Sequence, residues 1–116
     1  MAQVPDSEIA DLTAQLRCFR DERDWGQFHQ PKDLAIALSV EASELLEVYL
    51  WKTSEDAKVD RVREELADVF AYALLLADRL GLDVREIVQT KLRLNAAKYP
   101  VEQSRGSNRK YTELGS

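Results

Sequence analysis

"VEASELLEVYLW" (residues 40–51) sets Glu41, Glu44 and Glu47 among Val40, Leu45, Leu46, Val48, Tyr49, Leu50 and Trp51. The stretch is too apolar for a solvated helix face and too acidic for a core. An α-helix turns ~100° per residue, so on a wheel centred on Glu41 the side chains of Leu34, Ala37, Leu38, Leu45 and Val48 fall within roughly 60° of it. Glu41 therefore stands in the middle of an apolar stripe. Glu44 lies at the edge of that stripe one turn along, and Glu47 is further round.

Outward from this stretch the chain reads as four helices, with no strand-like alternation of useful length. The helix carrying it starts at Pro31, where a missing N–H costs nothing, and runs to about Trp51. Before it, "DWGQFHQP" (24–31) is an aromatic-rich loop that turns at Gly26. The first helix spans about Ser7 to Asp24, capped by Asp6 or Ser7, with Ile9, Leu12, Leu16 and Phe19 at helical spacing. "KTSEDA" (52–57) is a polar break, and a third helix follows from about Asp56 to Leu80, stopped by Gly81. Asp83 and Glu86 form a capping-box pattern for the fourth helix, which fades near Tyr99-Pro100. The expected architecture is an all-α four-helix domain over 1–100 and an extended polar C-terminal tail over 101–116, with Arg105, Arg109 and Lys110 in the tail.

The third helix repeats the feature of the second. Val62, Val69, Tyr72, Leu76 and Leu80 cluster around Glu65, and Asp68 stands at the edge three residues on. Each helix thus carries an acid-x-x-acid pair with one acid embedded in its apolar face. Three physical readings are open. The pairs can be a solvated acidic face, or they can be neutralised by salt bridges to Arg61, Lys52 or Arg79. They can also hold a cation between the two helices, since acids three apart are near enough to share one. An ionised carboxylate in an apolar stripe is costly unless paired or metal-bound, which weighs against the first reading. Oxygen-only ligands favour Mg²⁺ or Mn²⁺ over zinc.

The totals bound the rest. A chain of 116 residues suits one domain, and a helical chain this short often gains stability by oligomerising. Its net charge of −5 argues against nucleic acid and anionic membrane as partners. It does not exclude a small anionic ligand carried with a metal cation. Cys18 is the only cysteine, which leaves no intrachain disulfide and no thiolate zinc cluster. No stretch approaches the ~18 apolar residues of a membrane span, so a soluble cytoplasmic protein is expected.

Glu41-x-x-Glu44-x-x-Glu47 followed by Glu65-x-x-Asp68 resembles the signature of the MazG-like all-α nucleoside triphosphate pyrophosphohydrolases. "RDWGQFHQP" (23–31), "LLEVYLWK" (45–52), "EELADVFAY" (64–72), "NAAKYP" (95–100) and "SNRKYTEL" (107–114) extend the likeness, most closely to the dCTP pyrophosphatase branch. The resemblance implies a compact helical catalytic domain, assembled through paired subunits as a dimer or a dimer-of-dimers tetramer. It implies Mg²⁺-dependent hydrolysis of dCTP or modified dCTP to the monophosphate and pyrophosphate, a house-cleaning task in the nucleotide pool. Carried over position by position, Glu41, Glu44, Glu65 and Asp68 match metal ligands. Trp25 and Trp51 match aromatics that hold the base, His29 matches a substrate contact, and Tyr72, Lys91 and Asn95 match residues that meet the phosphates or sugar. Glu44 and Glu47 are the candidate general bases, and Lys91 adds positive charge for the phosphates. One position departs: a His is expected nine residues before the first Trp to help read the base, and this chain has Leu16 there. That leaves the reaction class untouched and opens a broader range of nucleoside triphosphates as the alternative to cytosine selectivity; a catalytically silent nucleotide-binding bundle is a separate rival, and the presence of all four acids weighs against it.

Overall fold

The computed structural model describes residues 7–114. Among these residues there are five helices: α1 (Glu8–Glu22), α2 (Pro31–Glu47), α3 (Val59–Arg79), α4 (Val84–Lys98) and the one-turn α5 (Val101–Ser104). Short 3-10 turns occupy Gly26–Phe28, Ser54–Asp56 and Tyr111–Glu113, and no strand occurs among the described residues. The all-α expectation holds, with one short helix beyond the expected four.

Local chemistry sets most of the helix ends. Ser7 Oγ accepts the Ala10 N–H at 3.0 Å and caps α1. Pro31 stands in the first turn of α2. Asp83 Oδ1 accepts the Glu86 N–H at 3.1 Å and caps α4. Gly81, at φ 68°, closes α3, with its own N–H donated to Asp78 O at 3.1 Å and that of Leu82 to Ala77 O at 2.8 Å.

Two ends differ from the sequence reading. Helix α2 stops at Glu47 instead of continuing to Trp51. The N–H groups of Val48, Tyr49 and Leu50 donate to the carbonyls of Leu45, Leu46 and Glu47 at 3.2, 2.9 and 3.2 Å, and this tightening ends in Trp51 at φ 63°. Val48, only 5% exposed, anchors the turn in the core. No glycine or proline marks the place. Helix α3 starts at Val59, not Asp56, because Ser54–Asp56 is spent in a 3-10 turn, where Thr53 Oγ1 donates to Asp56 Oδ2 at 2.9 Å.

The chain forms two compact units, divided between Leu82 and Asp83. In the first, α3 packs along α2 and also against α1. Its buried apolar residues are Leu34, Val48, Leu74, Leu75 and Ala77. Arg17 on α1 pairs with Asp78 on α3 at 2.9 Å. Large apolar side chains remain exposed, among them Leu12, Phe19, Leu66 and Phe70. In the second unit, α4 and α5 are followed by Tyr111, whose ring meets Tyr99 edge-on at 6.1 Å and lies 5.0 Å from Lys98 Nζ. Among the described residues, no helix is long and apolar enough to cross a membrane.

Candidate functional site

The packing of α2 on α3 brings the embedded acids together. Glu41, Glu44 and Glu65 each present a carboxylate oxygen within 4.8 Å of the others. Glu41 and Glu65 are partly buried, and each keeps one buried oxygen, Oε2, with no hydrogen-bond partner. Such an orphaned buried acceptor is costly. The electrostatics follow. Desolvation lifts the Glu41 pKa from 4.5 to about 7, aided by the hydrogen bond to Glu44 and by the charges of Glu44, Asp68 and Glu65. Desolvation also raises Glu65, with Glu44 and then Asp68 adding to it and Arg61 opposing.

Salt bridging does not resolve this cluster. Arg61 Nη2 lies 4.0 Å from Glu65 Oε1, and the Arg61 side chain is 60% exposed, so the pair is long and well hydrated. It leaves Glu65 Oε2 unmatched. Three carboxylates crowded together need a proton or a cation, and an all-oxygen donor set fits a hard divalent cation. Glu41, Glu44 and Glu65 would hold it. Asp68, one turn after Glu65, acts electrostatically on both Glu41 and Glu65. Glu47 is exposed and stands outside the cluster.

A cavity of about 260 Å³ adjoins the acids through Asp68. Its walls are Leu16, Phe19 and Arg20 from α1, Trp25 and His29 from the following loop, and Asp68, Ala71, Tyr72 and Leu75 from α3. Trp25 is fixed by Phe19, edge to face at 5.8 Å, and Arg23 covers the other ring of that pair at 3.6 Å from the Phe19 centroid. The loop is held by Trp25 N–H on Arg20 O at 3.0 Å and His29 N–H on Gly26 O at 3.1 Å. Burial lowers the His29 pKa, the Arg20 charge lowers it further, and Asp33 partly offsets both, so the ring is neutral near pH 7. The cavity thus combines flat aromatic faces with the carboxylate of Asp68, whose charge also acts on Glu41 and Glu65.

Of the site residues expected from the sequence, Glu41, Glu44 and Glu65 share the cluster, and Trp25, His29, Asp68 and Tyr72 share the cavity. Trp51 does not join them within one chain: it is 99% exposed at the turn after α2. Lys91 and Asn95 lie one helical turn apart on α4, in the second unit. Arg20 was missed. In sequence it belongs to "RDERD" (20–24), a charged run that reads as a solvated helix end. Its spacing from Leu16 was the available signal, since the two share one face of α1.

An all-α fold with an acidic, cation-type centre beside an aromatic cavity defines the class of protein, and the comparisons with known proteins agree with it. The model of the MazG-like family matches residues 36–114. Human dCTP pyrophosphatase 1 is 38% identical over 118 residues, which span 95% of this chain and 69% of that protein. The cattle dCTP pyrophosphatase 1 is 41% identical over 104 residues, spanning 83% of this chain and 62% of that one. The crystal structure of a pyrophosphatase from Archaeoglobus fulgidus DSM 4304 has a TM-score of 0.77 at 36% identity, covering 86% of this chain and 99% of the other. The chain belongs to the MazG-like family.

Proposed function

We propose that this chain is a nucleotide pyrophosphohydrolase that depends on Mg²⁺, with Mn²⁺ as a substitute, and takes dCTP or a modified dCTP to the monophosphate and pyrophosphate. The observation that carries this reading is the position of Asp68. It lines the aromatic cavity and also bears on the charge of the carboxylate cluster, so base site and cation site are contiguous.

A triphosphate brings about four negative charges to a site already rich in acids. Bound among those acids, a divalent cation would neutralise charge on the phosphates and lower the pKa of a water. Glu41, Glu44, Glu65 and Asp68 are assigned to holding it. A carboxylate not fully used in ligation takes the proton of the attacking water, and Glu44, with one oxygen on the cation and the other left over, suits that task better than the exposed Glu47. Trp25 supplies a stacking face for the base, His29 a neutral wall and Tyr72 a hydroxyl near Asp68. Lys91 and Asn95 are assigned to the phosphates or sugar. Trp51 is assigned to the base in an assembly of paired subunits, dimer or tetramer, located in the cytoplasm. Residues 1–100 form the catalytic domain in this reading and residues 101–116 the tail.

A second reading, a broader range of nucleoside triphosphates, draws on Leu16, which walls the cavity without offering a hydrogen bond. Both are tested by incubating the purified protein with each triphosphate and Mg²⁺, with and without chelator, and identifying products. Pyrophosphate release from dCTP that stops on chelation is expected. Orthophosphate release sinks the pyrophosphohydrolase reading, and no turnover of any triphosphate leaves the silent nucleotide-binding bundle.

A further inference from the structure

Among the described residues, Arg20 is the one cationic side chain lining the cavity. It stands one turn after Leu16 on α1, and the two share the face that walls the cavity. Its side chain is only 16% exposed and is held through Nε. Nε donates to Asp21 Oδ1 at 2.9 Å, and Nη1 lies 4.0 Å from Asp78 Oδ2. Nη2 has no partner among the described residues. Asp78 is separately held by Arg17 at 2.9 Å, so its hold on α1 does not depend on Arg20. A guanidinium only donates, and its donors are costly to bury unmatched. The other polar groups on its walls are the Asp68 carboxylate, the Tyr72 hydroxyl and His29, whose buried Nδ1 has no partner among the described residues.

We propose that Arg20 reads the base, donating to the paired acceptors O2 and N3 of cytosine. This rests on the pyrophosphohydrolase reading and deepens it. Cytosine presents O2 and N3 side by side as acceptors. Uracil and thymine carry an N3–H donor between two carbonyls, which meets a guanidinium donor to donor. Guanine offers the other acceptor pair, O6 and N7, and is the competitor to separate. A phosphate is not the partner, because the triphosphate is drawn to the cation among the acids, while Arg20 lines the aromatic cavity with Phe19 and Trp25 and acts on His29.

The test compares wild type, Arg20→Ala and Arg20→Gln on dCTP, dUTP and dGTP with Mg²⁺. Wild type is expected to favour dCTP over dUTP and dGTP in kcat/KM. Arg20→Ala is expected to lose about tenfold or more on dCTP, mostly through KM, while dUTP stays nearly unchanged. If circular dichroism shows Arg20→Ala unfolded, Arg20→Gln is read in its place, with the same direction expected. An equal loss on dCTP and dUTP marks a structural or phosphate role and overturns the proposal, as does a wild type that prefers dGTP or has no base preference. Titration calorimetry with dCMP and dUMP needs no turnover. A dCMP preference that disappears in the Arg20 variants, in a protein that hydrolyses nothing, supports the base reader while removing the hydrolase reading. No dCMP preference in wild type overturns the base reader alone.

Discussion

Glu41 on α2 and Glu65 on α3 each hold one buried carboxylate oxygen without a partner, and Glu44 completes a triad with them inside 4.8 Å. The arrangement is unfavourable for a metal-free protein and favourable for one that binds a divalent cation. It is the kind of local conflict that marks a working site.

Glu41→Gln removes one charge from the triad and keeps its shape. Turnover should fall by at least about a hundredfold, because a ligand and its charge are lost together. The metal-free fold should melt at the same temperature or higher, since repulsion and desolvation are both relieved. Activity assays and thermal melts check the pair of outcomes. Unfolding of the variant would show instead that Glu41 serves a structural ion pair.

Stability without metal should fall as pH rises. In the folded state Glu41 binds its proton up to about pH 7, against 4.5 ordinarily, and Glu65 shifts in the same direction. Between those values the folded state holds more protons than the unfolded one, so unfolding becomes easier with each increment of pH. The stabilising contribution is complete below 4.5 and gone above about 7. Melting temperatures from pH 4.5 to 8 with chelator should decline across that window, Glu41→Gln should flatten the decline, and millimolar Mg²⁺ should restore most at the alkaline end. A flat chelator profile in wild type would contradict this electrostatic picture.

Trp51 combines full exposure with a left-handed backbone at φ 63°, which is unusual for a bulky residue. Trp51→Gly removes the backbone penalty but adds unfolded-chain entropy, so stability should stay within about 1 kcal/mol of wild type. The KM for dCTP should nonetheless rise between about five- and a hundredfold if the indole stacks on the base. Unchanged kinetics would remove Trp51 from the site.

Phe70, 61% exposed, lines an apolar groove with Leu12, Leu16, Phe19 and Leu74. The groove shares Leu16, Phe19 and Ala71 with the aromatic cavity, so a paired subunit seated there would brace the cavity wall. Light scattering on a sizing column should give wild type a multiple of 13.3 kDa, and Phe70→Asp should move it toward the single-chain mass with loss of activity. A wild type of single-chain mass would refute the assembly.

The sequence by itself determined the helices and where their acids point. A period of 3.6 in apolar residues, Ser7 and Asp83 as caps and Gly81 as a stop are local physics, and local physics is written in order along the chain. The wheels placed Glu41 and Glu65 on apolar faces without any knowledge of the partner helix. What the wheels left open was what neutralised those acids: solvent, a salt bridge or a cation. Only the packing of α2 on α3 decided that, by bringing Glu44 beside Glu65 and leaving Arg61 too distant and too wet to serve. The end of α2 at Glu47 also belongs to the tertiary structure, because the burial of Val48 turns the chain at a place with no glycine or proline. Arg20 became a cavity residue for the same reason. A charged run is solvated on an isolated helix, and it faces a pocket only when another helix and a loop close over one of its members.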